Sequence, residues 1–177
     1  MNIFATPALI IITFLGRNHR KSYYVREVAK ILSISTGAAS EQLRALETAG
    51  LVTSEQKGRT LLFRAAIAHP LVREAKIFST LAELSPLIAE GRNDMLRMIL
   101  FGSCTTGEDT EESDIDLYIE TIDRPAVSGL IDRYGPGISR TLSPIIVTPD
   151  EGRGLRARDP LLFDRIRAGR ILVGDPL

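Results

Sequence analysis

The chain has 177 residues, 44% of them hydrophobic and 25% charged, so it fills one full-sized globular domain or two small ones and excludes a large multidomain machine. A single cysteine, Cys104, and two histidines, His19 and His69, exclude an intramolecular disulfide framework and a Cys- or His-rich zinc site, leaving carboxylates to hold any metal. Net charge is zero, yet residues 1–84 carry 11 Lys and Arg against 6 Asp and Glu, whereas residues 85–177 carry 11 against 16. Such an asymmetry is expected where one half meets a polyanion and the other collects acids for a separate purpose.

The apolar run Ile3–Leu15 is shorter than the roughly 20 residues that cross a bilayer, and it lacks the flanks of a signal peptide. The expectation is therefore a cytoplasmic protein with no membrane partner. In chain order, Pro7–Leu15 predicts a helix ended by Gly16, and Val25, Val28, Ala29 and Leu32 recur at the spacing of a second. Thr36–Ala49 predicts a third, with Ala39, Leu43 and Leu46 on one face and a left-handed cap at Gly50. Its other face carries Thr36, Gly37, Ser40, Glu41, Arg44 and Glu47. Leu51–Thr53 and Thr60–Arg64 predict strands around a polar tip, Ser54–Arg59.

Three helices and a hairpin in this order make a winged helix. The stretch Val25–Arg64, in which "LRALETAGLV" joins the third helix to the wing, resembles the small winged helix-turn-helix regulators of bacteria and archaea, over roughly residues 5–68. In that geometry the third helix enters the major groove of double-stranded DNA and the wing reaches phosphate. Helical phase nominates Ser40, Gln42 and Arg44 as readers, with Lys57 and Arg59 on the wing. A bidentate Arg–guanine pair is worth about 1–3 kcal/mol of discrimination. Because the basic excess is modest and Glu41 and Glu47 repel phosphate, a homodimer is expected. The competing reading makes the winged helix a packing or dimerisation module. A helical pattern from His69 to Leu84 supplies either the interdomain link or that dimer contact.

Further on, Met95–Phe101 predicts a buried strand feeding a tight turn at Gly102-Ser103, and an acidic loop leads to Asp114-Ile-Asp-Leu-Tyr-Ile119. Residues two apart on a strand share a face, which puts Asp114 and Asp116 together, with Ile115, Leu117 and Ile119 toward the core. Paired carboxylates suit Mg²⁺, which takes one or two of them plus phosphates and water; Gly102 lets the backbone approach a phosphate, and Ser103 adds a hydroxyl and an amide. The string "ILFGSCTTGEDTEESDIDLYIE" resembles the signature of the DNA polymerase beta nucleotidyltransferase superfamily. That resemblance implies a small mixed α/β domain of the minimal type, in which the Gly102-Ser103 turn holds a nucleoside triphosphate and Asp114 and Asp116 hold the metals that assist in-line transfer.

Active members bring a third carboxylate from a later strand. After a helix predicted over Pro125–Tyr134, the apolar run Ile138–Thr148 contains no acid; Ser143-Pro144 occupies the region, and proline there predicts an edge or a bulge. Asp150 and Glu151 follow Pro149 and serve the next helix N-terminus. The remainder, "LSPIIVTPDEGRGLRARDPLLFDRIRAGRILVGDP", resembles the tail of winged-helix proteins fused to a nucleotidyltransferase-like domain, described as transcriptional regulators or nucleotidyltransferases and commonly missing the third acid. Arg153, Arg156, Arg158, Arg165, Arg167 and Arg170 read as a solvated helix face paired with Asp159 and Asp164, or as contacts to phosphates or a partner. Cys104, beside the turn, reads as a small buried hydrophobe or a reactive thiol.

The expected fold class is α+β, with a winged helix at 1–68, a connecting helical segment at 69–90 and a nucleotidyltransferase-like domain at 91–177. The expected function is a DNA-binding transcriptional regulator whose degenerate domain binds a nucleotide with Mg²⁺. The alternatives are an active Mg²⁺-dependent transferase that places a nucleoside monophosphate on a protein, nucleic acid or small-molecule hydroxyl, and a partner-binding, antitoxin-like module.

Overall fold

A computed structural model describes residues 6–177; residues 1–5, which include the opening of the Ile3–Leu15 run, lie outside the described residues. The chain divides into two compact units. One runs to Ala82 and takes in Gly107–Glu111; the other comprises Glu83–Thr106 and Glu112–Leu177.

In the first unit, α1 (Pro7–Arg17) starts at Thr6, whose hydroxyl accepts from Leu9 N at 3.3 Å, with Pro7 in the first turn. The helix does not stop at Gly16: a Cβ there would lie 3.1 Å from Val72 and Lys76 side chains, so this glycine serves a close approach rather than a terminus. A two-residue strand, β1 (Tyr23–Tyr24), precedes α2 (Val25–Ile31), and Ser35 caps α3 (Thr36–Thr48) by accepting from Ala38 N at 3.1 Å. Beyond α3, Gly50 adopts φ +74, the left-handed conformation expected of it. The strands β2 (Val52–Lys57) and β3 (Thr60–Ala65) are longer than the apolar pattern suggests. Ser54–Lys57 belong to the ladder, which reaches Lys57↔Thr60 and leaves Gly58-Arg59 as a two-residue tip. Antiparallel pairing gives the sheet order β1-β3-β2. Ile11, Leu15, Val28, Leu43, Leu46, Val52 and Phe63 form its core, together with Val72 of α4 (Pro70–Gly91). This helix extends beyond the predicted His69–Leu84 segment, with Pro86 inside it.

The acidic loop contributes to the same unit. Asp109 is fully buried between Arg17, whose Nε stands 3.1 Å from Oδ2, and Lys76, whose Nζ stands 3.5 Å from Oδ1. Lys76 Nζ also donates to Gly107 O at 2.7 Å, and Arg17 Nη2 to Thr80 Oγ1 at 3.1 Å.

The second unit is built on a four-stranded sheet in the order β6-β5-β4-β7. The strands are β4 (Arg97–Phe101), β5 (Ile115–Glu120), β6 (Leu142–Val147) and β7 (Arg170–Val173). β4 pairs antiparallel with β5 and β7, and β5 pairs parallel with β6. A short helix, α5 (Ser103–Thr106), follows β4, and α6 (Arg124–Tyr134) connects β5 toward β6, its first turn capped by Asp123. Pro144 lies on an edge strand, where its missing N–H costs the ladder nothing on the open side. After β6 come α7 (Pro149–Arg153), α8 (Leu155–Arg158) and α9 (Pro160–Arg167). Ile99, Phe101, Tyr118, Leu155 and Ile166 pack into a core that also holds Ile145, Val147, Leu162 and Phe163. Ile115, Leu117 and Ile119 are buried on the opposite face of β5, so both faces of the central strands are covered. Among the described residues no helix is long and apolar enough to cross a membrane.

Candidate functional site

The Gly-Ser turn and the acidic pair meet at one end of the central sheet. Phe101 and Asp116 are paired across the β4–β5 ladder, so the residue that follows Phe101 emerges beside the Asp116 carboxylate. Gly102 has φ +75, and a Cβ built on it would overlap Asp116 Oδ2; both its backbone conformation and its closeness to the carboxylate demand glycine. Thr105 Oγ1 donates to Gly102 O at 2.7 Å and pins the turn. Ser103 opens α5 and is half-buried.

Asp116 is the half-exposed residue in an otherwise buried run from Ile115 to Ile119. Burial pushes its carboxyl above the usual carboxylate range, the Arg165 guanidinium draws it back, and the nearby Asp114 carboxylate raises it again. Asp114 is exposed and sits one residue before the ladder rather than within it, because pairing with β6 begins at Ile115. Its backbone is held by the buried Cys104, whose Sγ donates to Asp114 O at 3.4 Å. Arg140 Nη1 in turn donates to Cys104 Sγ at 3.3 Å, so the thiol sits in a polar, enclosed corner.

Two further residues stand in this corner: Arg165, which nothing in the sequence singles out from the neighbouring arginines, and Ser143, which the sequence places where a third acid would be sought. Arg165 Nη2 lies 4.0 Å from Asp116 Oδ2, with its guanidinium carbon 5.6 Å from the Phe101 ring centroid, a cation held over an aromatic face. Ser143 is paired with Asp116 across the parallel β5–β6 ladder, so a hydroxyl occupies the neighbouring-strand position beside the carboxylate. Asp150 and Glu151 stand past the strand in the first turn of α7, where Glu151 accepts from Thr148 N at 2.7 Å. Among the described residues, no three His, Cys, Asp or Glu side chains gather as a metal-holding group.

In the first unit, Ser40 and Arg44 are one helical turn apart and share a face of α3, about 40° apart; Gln42 points about 160° from both. Arg44 is exposed, and Ser40 and Gln42 are half-buried. Ser40 and Thr36 line a cavity of about 580 Å³ with Arg26 of α2 and Thr60 of β3. Glu47 accepts from the Ser54 hydroxyl, which engages that carboxylate with β2. Lys57 and Arg59 are exposed on either side of Gly58, and Gln56 Nε2 and Thr60 Oγ1 each brace the tip by donating to a backbone carbonyl at 3.1 Å.

A winged helix and a mixed sheet with a Gly-Ser turn beside paired acids define two protein classes in one chain, and the comparisons with known proteins agree. Residues 8–54 match the family model described as bacterial regulatory protein, arsR family, and residues 87–135 match the one described as nucleotidyltransferase domain. The chain therefore joins an ArsR-type winged helix-turn-helix to a nucleotidyltransferase domain. No curated protein matches it. Solved structures similar to it include a variant of Lactococcus lactis ZitR, at 22% identity and a TM-score of 0.40, covering 50% of this chain and 61% of that one. A hypothetical protein from Pyrobaculum spherical virus is 15% identical, with a TM-score of 0.30 over 52% of this chain and 60% of its own. A hydrogen-peroxide-bound variant of Corynebacterium glutamicum OxyR is 21% identical, with a TM-score of 0.37 over 88% and 44%. The chain thus spans between 44% and 61% of the length of these three structures.

Proposed function

We propose that the chain is a cytoplasmic, homodimeric DNA-binding transcriptional regulator whose nucleotidyltransferase domain is degenerate, binding a nucleotide together with Mg²⁺ and transferring it poorly or not at all. The observation that carries this reading is the pairing of Asp116 with Ser143. The superfamily resemblance calls for a third carboxylate from a later strand, and β6 offers a hydroxyl beside Asp116 in its place.

The donor set fits the ion. Asp114 and Asp116 supply hard oxygens, Asp116 is half-exposed, and a site with two carboxylates leaves the remaining octahedral positions to phosphate oxygens and water. The ion, when bound, would supply charge neutralisation at the phosphates. The chain's own residues do the rest. Gly102 brings the backbone close to the carboxylates, Ser103 offers a hydroxyl and an amide to a phosphate oxygen, and Arg165 places a guanidinium beside them. Such an arrangement orients and holds a triphosphate without activating an acceptor hydroxyl.

For DNA, the support is the ArsR-family match at 8–54 and the placing of cations on α3 and the wing. Arg44 reads a base edge with Ser40 on the same face, while Lys57 and Arg59 contact phosphate and give affinity that falls with salt. Gln42, about 160° from both and half-buried toward the core face, falls outside this reading face, against the expectation from sequence. The retained acidic pair beside Gly102 favours a second reading, an active transferase.

One experiment separates the two. The purified chain is incubated with labelled nucleoside triphosphates, Mg²⁺ or Mn²⁺ and candidate acceptors, and both bound and covalently incorporated label are measured. The proposal predicts bound label with little incorporation; incorporation abolished by Asp114→Ala or Asp116→Ala would establish the transferase.

A further inference from the structure

The six arginines between residues 153 and 170, grouped in sequence, separate in the fold. Arg165 stands beside Asp116, Arg167 pairs with Asp164 at 3.6 Å, Arg158 donates to Gly154 O at 3.4 Å, and Arg170 donates to Thr105 O at 3.3 Å. Arg153 and Arg156 instead line a cleft of about 360 Å³, together with Arg97, Glu120 and Phe163. Arg97↔Glu120 is the end of the β4–β5 ladder opposite to Phe101↔Asp116. Four residue steps at about 3.3 Å put the cleft roughly 13 Å along the strands from the acidic pair.

Glu120 is the one carboxylate among the described side chains lining the cleft, and it is already engaged. Arg97 Nη1 donates to its Oε2 at 2.6 Å and the Tyr118 hydroxyl at 3.3 Å. Burial, reinforced by the Glu120 charge, pushes that hydroxyl up to about 12, so it stays protonated and donating throughout the neutral range. Arg97 is fixed further by donating from Nε to Asp175 O at 2.6 Å and from Nη2 to Pro176 O at 3.2 Å. Among the described residues Arg153 pairs only with Asp150, and both side chains are largely exposed, so water and salt weaken that attraction. Arg156 forms no ion pair among the described residues; its guanidinium carbon lies 5.9 Å from the Phe163 ring centroid. The cleft, which Leu177 also lines, thus has a floor whose Glu120 carboxylate is paired, an aromatic wall, the Arg156 guanidinium and, beside it, the Arg153 guanidinium held only through an exposed contact with Asp150.

The geometry points to a second ligand site in this cleft, one that takes a small phosphomonoester. Arg153 and Arg156 supply planar, paired N–H donors to the doubly charged phosphate, and Phe163 covers its carbon skeleton. The volume lies within the range of small-molecule sites. Neither Asp114 nor Asp116 lines it, so the assignment is independent of the function proposed above.

The test is isothermal titration calorimetry of the full chain with ribose 5-phosphate, at low salt and without divalent cation. Saturable binding is expected, weakened at least tenfold by Arg156→Gln, abolished by Arg153→Gln with Arg156→Gln, and unchanged by Arg165→Gln or Asp116→Asn. Arg153→Gln alone, at a side chain 72% exposed, keeps the fold and also lowers affinity. Inorganic phosphate should bind at least tenfold more weakly, because it leaves Phe163 uncovered. Absence of saturable binding, binding that survives the double substitution, loss in Arg165→Gln, or equal affinity for inorganic phosphate would overturn the proposal.

Discussion

Replacing Asp109 by alanine removes the carboxylate that stands between Arg17 and Lys76. The Asp109 and Lys76 side chains have 0% exposure and that of Arg17 has 5%, so neither cation can recover hydration without opening the core of α1 and α4. Breaking a buried ion pair by deleting one partner costs about 3–5 kcal/mol, chiefly because the remaining charge stays buried. Here two cations face the deleted group, which places the expected loss at the upper part of that range, about 4–5 kcal/mol. The loss is large beside the roughly 5–15 kcal/mol that holds a whole domain together. Urea denaturation followed by far-UV circular dichroism measures it, comparing wild type, Asp109→Ala and Asp109→Asn. The alanine variant should lose most, and the asparagine variant less, since its amide oxygen still accepts a hydrogen bond. A loss below about 1 kcal/mol for Asp109→Ala would refute the argument that Asp109 holds these cations in a buried site.

Installing the missing acid by Ser143→Asp should raise label incorporation above the wild-type level in the Mn²⁺ transfer assay; no gain would contradict the role given to β6. Gly102→Ala should lose about 1–2 kcal/mol in denaturant titration from the left-handed backbone alone, and should also abolish nucleotide binding as its Cβ displaces Asp116; retained binding and stability would refute the account of the turn. Glu151 is held below its ordinary value near 4.5, first by the Thr148 backbone N–H and then by Arg124, so its stabilising contribution is present above that value and lost as pH falls through the lower, folded-state pKa. Carboxyl ¹³C NMR titration should show this low midpoint rising with Arg124→Gln, and a midpoint at or above 4.5 in the wild type would contradict it. In a duplex mobility-shift assay, Lys57→Ala with Arg59→Ala should weaken binding to all sequences and flatten the salt dependence, whereas Arg44→Ala should relax discrimination at one base position by about 1–3 kcal/mol. Equal effects of the two variants on every sequence would remove the division between reading helix and wing.

Local patterns carry most of the fold. Gly50 ends α3 with the backbone conformation its position demands, and the spacing of Ala39, Leu43 and Leu46 marks a face that is buried as read. Gly102, Ser103 and the Asp114–Asp116 string are legible because a short loop and one ladder bring them together. The wing is longer than its hydropathy indicates because Ser54–Lys57 are polar, and the ladder pairs them through backbone groups that hydropathy does not report. β1 is two residues long and leaves no periodicity to detect. Gly16 reads as a helix stop because a glycine needed for close packing is indistinguishable, in sequence, from one needed at a terminus. Arg165 cannot be told from its five neighbours, since only the path of α9 brings it to Asp116. Asp109 reads as one more loop acid, and its burial depends on cations from helices far earlier in the chain.

The central claim is that Asp114 and Asp116, beside the Gly102-Ser103 turn, hold the phosphates of a nucleotide through a shared divalent ion. A crystal of the full chain soaked with a nucleoside triphosphate and Mn²⁺ tests it most directly, through the anomalous signal of manganese. The account predicts a peak bridging the two carboxylates and the phosphates, with Ser103 and Arg165 on the phosphate oxygens. Triphosphate density without manganese at these aspartates, or manganese bound elsewhere, would contradict it.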